Sequence, residues 1–559
     1  MRLAIHAPNL CLSLPDQPFG KDVANRGLYA ALVGHGCFEQ ISFCTVEQPP
    51  LASLEQQFGA QPGAARLSIS PLNQTNAAAQ AGTLLRGQPY ISELAWERGH
   101  RHGHQAYSLV GMIHTLAPPK VRELIGEVLL APVQPWDALI CTSPAVRQCL
   151  EGLLDRWQDH LSQRFGGTRA PRPQLPLLPL GVDRTALQEQ RADQRSRDFL
   201  RRHLGVAEHD VLVLWLGRLS FFEKAYPQGM FIALQKAAQR CGERLHFVMA
   251  GWFPGGDSDL RLYEEAARCH APDVPVHFLD GKNSEVVRCC WAAADLFFSL
   301  VDNPQETFGL APVEAMAAGV PVVVSDWDGY RYTVSDGVEG FRIPTLAPAH
   351  AQQGEELALQ HDQGLLTYQD YVGAVAQHVA VDIEAAAAAI ARLAGDPVLR
   401  QRMGMAGSQT VCQRFDWPVV ARLHHQLYAE LAELRRGGQG GSGVEDQHPL
   451  RSDPFRDFAS FATSSLGSET ELRLAMPLLE IQHRLNNLTS LDRCYGELHA
   501  SPADVQRLLE QLQSEGDQSC HLMHLLRAWP DEQHDALRLS LTWLAKLGCI
   551  QWSNSSAAR

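Results

Sequence analysis

The sequence has no CxxC pair among its thirteen cysteines, and two of them, Cys289 and Cys290, are adjacent. That excludes the usual zinc-ribbon spacings and does not suit a disulfide framework. It fits a reduced thiol pool and a cytoplasmic setting. No window offers ~20 consecutive apolar residues, so no membrane-spanning helix is expected, while peripheral membrane contact stays open. The opening MRLAIHAPNL is too short and too interrupted for a signal peptide. Excess basic charge is missing as well. The formal net charge of −14 argues against a chain that lives on nucleic-acid phosphates. GHRHGH at 99–104 alternates histidines, but no cysteine or carboxylate cluster stands near it, and it reads as a surface loop rather than a metal site.

What is present is a long, ordinary globular composition. The 559 residues allow three or four domains at about 150 residues each. RLAIHA, ISFCTV, SLVGMIH and WDALICT read as buried strands, interleaved with helices such as KDVANRGLYAALVGHG. SPAVRQCLEGLLD opens with a serine in the N-cap position. Residues 165–176 read as a loop, and LLPLGVD as a short strand with a turn. A second series starts near Arg195, with strands VLVLWLG, LHFVMAG, VHFLDG, LFFSLV and VPVVVS. Short apolar runs alternating with helical periods indicate parallel sheets covered on both faces. Two such series indicate two doubly wound α/β domains.

The expected layout is an N-terminal Rossmann-like domain at 1–190 and a second at 191–400. Helices at 401–436, a Gly-rich linker at 437–444 and a mainly helical extension at 445–559 follow. The linker is flexible by composition and lacks the strand and Lys-Ser/Thr pair of a phosphate loop. The extension carries sixteen acidic and ten basic residues. DALRLSLTWLAKLGCIQW has the look of a helix and strand of a winged-helix module, but this acidity favours packing or docking a partner over binding DNA.

The most informative stretch is ETFGLAPVEAMAAGVPVVVS, residues 306–325. Its helix is expected to start near Leu310–Pro312, where proline costs no hydrogen bond, and to stop at Gly319. Glu306 then lies at the carboxyl end of LFFSLV, the edge where open α/β sheets bind ligands. Glu314 lies about one turn inside the helix. The amides near Phe308–Leu310 point outward as donors. Two carboxylate acceptors flanking a donor cluster suit a nucleotide sugar, which presents hydroxyls and phosphates together. Upstream, LGRLSFFEKAYP places Arg218 and Lys224 just after a strand, as a diphosphate would require. A bland reading stands beside each: a helix-dipole glutamate and a solvated pair of loop cations.

Taken together, GRLSFFEK, HFVMAG, the run from ADLFFSLV to GVEGF, and RFDW resemble the family-4 glycosyltransferases of the GT-B fold. The resemblance is strong over about 195–345, weaker over 1–190 and 380–435, and absent from 445–559. It implies two Rossmann-like domains facing a cleft, with retaining transfer from a nucleoside-diphosphate sugar and no required metal. It also implies roles by position. Glu306 would sit against the donor sugar. The amides of Thr307, Phe308, Gly309 and Leu310 would contact sugar or phosphate, and Glu314 the ribose. Arg218 and Lys224 would hold the diphosphate. His114, in GMIHTLAPP, would lie near the sugar, and Gly20 in a loop against the donor. Phe415 and Trp417 of RFDW would be packing residues before a helix that returns to the N-domain.

This chain departs from the family pattern in three places. The Arg218-to-Lys224 spacing is one residue longer, Gly20 stands where a double glycine is usual, and GWFPGGD replaces the frequent GDGP. No Asp-x-Asp stands at a strand end of the donor domain, and DWD at 326–328 reads as a turn. The expected function is therefore a metal-independent retaining glycosyltransferase of carbohydrate biosynthesis, acting on a glycan, lipid or small-molecule acceptor. Epimerisation or phosphorolysis on the same fold, and a non-catalytic nucleotide-sugar scaffold, are the alternatives.

Overall fold

The computed structural model describes residues 1–10, 20–59, 63–74, 76–167, 170–349, 352–438, 447–451, 453–516 and 518–554. The chain forms two compact units, Met1–Gln447 and His448–Arg559. Among the described residues the first unit holds two six-stranded sheets.

The first sheet contains β1 (Arg2–His6), β2 (Gln40–Thr45), β3 (Arg66–Pro71), β4 (Thr83–Arg86), β5 (Ser108–Met112) and β6 (Ala138–Ile140). The second contains β7 (Val211–Leu216), β8 (Leu245–Gly251), β9 (Val276–Asp280), β10 (Leu296–Ser299), β11 (Val322–Ser325) and β12 (Gly340–Ile343). Their orders are β3-β2-β1-β4-β5-β6 and β12-β11-β10-β7-β8-β9, with parallel pairing throughout. Numbered from its own first strand, each sheet has the Rossmann order 3-2-1-4-5-6. The continuous apolar runs follow from this. Leu3, Ala4 and Ile5 are fully buried, as are Val322, Val323 and Val324, because helices cover both sheet faces and neither side of a strand meets water. The order reverses between β1 and β4, and again between β7 and β10. A crevice opens at the carboxyl ends of those strands. This is the GT-B architecture of two Rossmann-like domains.

After β12 the chain leaves the sheet in a short hairpin, β13 (Thr345–Leu346) with β14 (Ala380–Val381), which encloses helices Gln352–Asp362 and Tyr368–Ala376. The helix Pro397–Arg414 then packs on Leu310–Ala317. An expected boundary at 400 therefore falls inside a helix of the second domain. The crossing comes later, at RFDW. There Val182 N–H donates to Phe415 O (2.9 Å), and Trp417 N–H donates to Val182 O (3.2 Å). Phe415 is buried. The Trp417 ring lies so close to Gly27 and Gly181 that a Cβ on either would come within 2.5 and 2.3 Å of it. The helix Trp417–Gly437 then lies along Gly20–His35 of the N-domain.

Two local expectations are corrected. LLPLGVD forms only single bridges, Leu177 with Cys141 and Val182 with Asp416, because the passing chain meets each neighbour at one point. GHRHGH is no surface loop: residues 99–102 end the helix Ser92–His102, and His104 is 3% exposed. Arg98 on that helix is fully buried and pairs with Asp137, which draws the segment into the domain. DWD is a turn, as expected, with Asp328 at φ +33°.

The second unit builds its own core. Strands β15 (Thr470–Leu474), β16 (Cys520–His521) and β17 (Ile550–Asn554) form an antiparallel sheet in the order β16-β15-β17. Helices Leu478–Asn486, Pro502–Ser514 and His534–Lys546 cover it, burying Ile481, Leu508 and Leu544. The helix and strand expected from DALRLSLTWLAKLGCIQW are both present. Of the linker at 437–444, Gly437 ends a helix and Gly438 packs on Trp136; the rest lies outside the described residues.

Candidate active site

A cleft of about 560 Å³ opens where the carboxyl ends of the two sheets meet. All ten positions singled out in the sequence line it: Gly20 and His114 from the N-domain; Arg218, Lys224, Glu306, Thr307, Phe308, Gly309, Leu310 and Glu314 from the second domain.

The loops after β7 and β10 flank the strand-order reversal and supply the charged groups. After β7 the chain turns tightly, with Lys224 N–H donating to Ser220 O at 3.0 Å. The turn accommodates the longer spacing after Arg218 and brings Lys224 back to the cleft. Lys224 pairs with Glu306, and Arg218 pairs with Glu223. The Glu306 side chain is 12% exposed. Burial alone would raise its pKa, but Lys224 and the amides of Thr307 and Phe308 outweigh burial and hold the carboxyl below its ordinary range. It is an anion at neutral pH, with Oε1 facing the Thr307 and Phe308 amides at 3.3 and 3.4 Å.

The helix Leu310–Ala317 begins in the loop that follows. Gly309 precedes it at φ +87°, and a Cβ there would meet the buried Tyr330 ring at 2.0 Å. Only glycine fits both the conformation and the space. That fit lets the first amides of the helix face the cleft, where its dipole favours negative charge. Glu314 is half-buried, and among the described residues no cation forms a salt bridge with it. Burial pushes its carboxyl up to about 7, against the pull of Lys224.

His114 follows β5. Its Nε2 lies 3.0 Å from Asn25 Oδ1 and 3.1 Å from Gly87 O. Both are acceptors, so Nε2 carries the proton and Nδ1 keeps a lone pair. Burial lowers the ring to about 4, which leaves it neutral at pH 7. Three hydrogen bonds tie this side to the second domain, two at the loop after β10 and one at the turn after β11. Thr307 Oγ1 donates to His114 O (2.9 Å), Thr142 Oγ1 to Thr307 O (3.1 Å), and Ser143 Oγ to Asp328 Oδ1 (2.7 Å). Ser143 also caps the helix Pro144–Phe165, as expected.

Sequence reading missed several residues of the cleft. Glu223 stands inside the quoted SFFEK, yet nothing in that string marks it as the counter-ion of Arg218. Lys21, Trp252 and Gln305 also line the cleft, as does Tyr368, which arrives from the segment between β13 and β14. Tyr368 has no local motif to betray it. Chemically, the cleft offers cations and helix amides for phosphate and carboxylates for hydroxyls.

Residues 196–363 match the family model described as "Glycosyl transferases group 1". That segment is similar to the group 1 glycosyl transferases. It spans β7 to β12, the half that supplies Arg218, Lys224, Glu306 and Glu314. Among curated proteins, the chain is 30% identical over 242 residues to a D-inositol 3-phosphate glycosyltransferase of Corynebacterium diphtheriae, covering 43% of this chain and 47% of that protein. It is 31% identical over 249 residues to a phosphatidyl-myo-inositol mannosyltransferase of Mycobacterium tuberculosis, covering 44% and 51%. In both, the match spans about half of the relative's length. Among solved structures, Anabaena Alr3699/HepE in complex with UDP and glucose is 16% identical, covers 76% of this chain and 98% of that one, and has a TM-score of 0.47.

Proposed function

We propose that the protein moves a sugar from a nucleoside-diphosphate sugar to a glycan, lipid or small-molecule acceptor, with retention of anomeric configuration and without a required metal. One observation carries this reading: Lys224, Glu306 and the start of the helix Leu310–Ala317 converge with Arg218 and Glu314 on one cleft at the strand-order reversal.

In this mechanism the diphosphate lies against Arg218, Lys224 and the helix amides. As the sugar–phosphate bond breaks, negative charge grows on the leaving oxygen, and these preorganised positive groups meet it. Glu306 accepts from the transferred sugar, and its carboxylate steadies the positive charge that develops there. Glu314 accepts from the ribose hydroxyls. Neutral His114 offers Nδ1 to a sugar hydroxyl, and Gly20 leaves room for the donor. The relatives named for inositol phosphate and phosphatidyl-myo-inositol suggest a polyol-type acceptor for screening. No helix among the described residues is long and apolar enough to cross a membrane, and cytoplasmic action is part of this proposal.

The test is a transfer assay with UDP-, GDP- and ADP-sugars and a panel of polyol acceptors, with product anomers read by NMR. An α-linked product from an α-donor is the expected result. An isomerised donor, phosphorolysis, an inverted product, or binding with no turnover would each overturn the reading.

A further inference from the structure

The segment between β13 and β14 reaches into the cleft. Its second helix, Tyr368–Ala376, is started by a capping box in which Asp370 N–H donates to Thr367 Oγ1 (3.1 Å) and Thr367 N–H donates to Asp370 Oδ2 (3.1 Å). The helix is anchored on the turn after β7. Val372 is fully buried, Tyr226 Oη donates to Gly373 O at 3.2 Å, and a Cβ on Gly373 would touch Phe222 at 3.0 Å. With its body fixed, its first turn overhangs the charged groups. Gln369 Nε2 donates to Glu223 Oε1 at 3.2 Å, on the carboxylate that pairs with Arg218. Tyr371 Oη accepts from Arg122 Nη2 at 3.2 Å, across to the N-domain. The helix is thus held from both sides of the cleft.

Tyr368 is the residue of this turn that lines the cleft. Its hydroxyl donates to Gln305 Oε1 at 2.7 Å, and Gln305 is the neighbour of Glu306 in the chain. Gln305 is itself fixed, since its N–H donates to Asn303 Oδ1 at 2.9 Å. With the Tyr368 proton committed to Gln305 Oε1, the pair presents a phenol lone pair and the Gln305 amide N–H groups. An acceptor beside a donor at fixed spacing can read the direction of a hydroxyl on a sugar ring. The match to the family model ends at residue 363, before Tyr368.

We infer that Tyr368 and Gln305 form a specificity-determining pair that reads a ring hydroxyl of the donor sugar and so discriminates between epimers carried on the same nucleotide. This rests on the nucleotide-sugar reading of the cleft. A pair built to hydrogen-bond a hydroxyl rejects a misplaced one because its own polar groups are then left unpaired.

The experiment measures the affinities of the full chain and of Tyr368→Phe by calorimetry, for UDP-glucose against UDP-galactose, GDP-glucose against GDP-mannose, ADP-glucose against ADP-mannose, and free UDP, GDP and ADP. Turnover is measured alongside. For the nucleotide that binds, the ratio between epimers should fall about tenfold or more in Tyr368→Phe, while free-nucleotide affinity stays within about twofold. Gln305→Leu should lower the same ratio, and the double variant should fall no further than either single change, as expected of a coupled pair. The single Gln305→Leu variant also serves should Tyr368→Phe fail to fold. An unchanged ratio with normal transfer by the parent chain would sink the pair and leave the nucleotide-sugar reading standing. Loss of free-nucleotide affinity in step with sugar-nucleotide affinity would make Tyr368 a structural residue. A parent chain that binds none of these donors would sink both.

Discussion

Lys224 and Glu306 form an ion pair across the crevice between β7 and β10, 82 residues apart in the chain. Each end has a second partner in view. Glu306 faces the Thr307 and Phe308 amides, and Lys224 lies near enough to Glu314 to lower its pKa. The charged groups of the cleft thus pair with one another, and an incoming diphosphate would compete for Lys224.

Replacing Lys224 by alanine should lower turnover by about 10²-fold or more, the scale of one lost preorganised electrostatic partner. Arg218→Ala should do the same. Lys224→Ala also leaves Glu306 without its cation. Because the Glu306 pKa is depressed in the folded state, its stabilisation is present above the unfolded value of 4.5 and is lost as pH falls through the folded value. The loss in Tm from Lys224→Ala should therefore be largest at neutral pH and shrink in acid. An equal loss at pH 7 and pH 3 would contradict the pairing.

Glu306→Ala should lose turnover far more than affinity for the free nucleotide, since its proposed partner is the transferred sugar. Steady-state kinetics beside calorimetry with UDP, GDP and ADP separates the two. Matching losses would point to a structural carboxylate.

Glu314→Gln should have opposite effects on the free and bound protein. Burial raises its carboxyl to about 7, so the folded state holds a proton that the unfolded chain releases near 4.5. Stability from this group falls as pH rises from 4.5 to about 7 and stays low above it. The neutral glutamine should therefore raise the Tm of the free protein at pH 8. It should also weaken nucleotide binding by roughly 10- to 100-fold, as expected for a charged hydrogen bond of about 1.5–3 kcal/mol. In the parent chain nucleotide affinity should improve from pH 6 to pH 8. Flat pH dependence would retire the ribose role.

Activity should survive EDTA, since Arg218, Lys224 and the helix amides are placed to meet leaving-group charge that a cation would otherwise neutralise. Complete loss in EDTA, restored by Mg²⁺ or Mn²⁺, would reverse this expectation.

A chain ending at Gln447 should stay folded and keep nucleotide affinity, because the two units have separate cores. A cut before Gly438 should cost some stability, since Gly438 packs on Trp136. Thermal melts of both truncations test this. Aggregation of the 1–447 chain would mean the second unit completes the first.

The local sequence carried the strands, the turns and the loop 306–314. A parallel strand buried on both faces must be apolar throughout, so VLVLWLG and VPVVVS announce themselves. Glu306, the amides after it and Glu314 lie within nine residues, and the geometry of one helix start fixes them together. Local rules failed where the signal was short or its cause was distant. LLPLGVD is apolar because it passes over β6 and meets Phe415, not because it joins a ladder. GHRHGH reads as loop by composition, yet a fully buried ion pair between Arg98 and Asp137, 39 residues apart, draws its helix inward.

The sequence by itself determined the two doubly wound sheets, the carboxylates and amides of the loop after β10, and His114 at a strand end by family resemblance. The tertiary structure alone decided that Lys224 meets Glu306, that Glu223 neutralises Arg218, that Thr307 bonds the backbone of His114, and that Tyr368 overhangs the cleft. The reason is physical. Periodicity and capping act over a few residues and are written in the local string. Contacts between strand ends depend on the order in which strands join the sheet, and on a hairpin that brings the helix Tyr368–Ala376 back to a cleft whose other wall was made more than two hundred positions earlier.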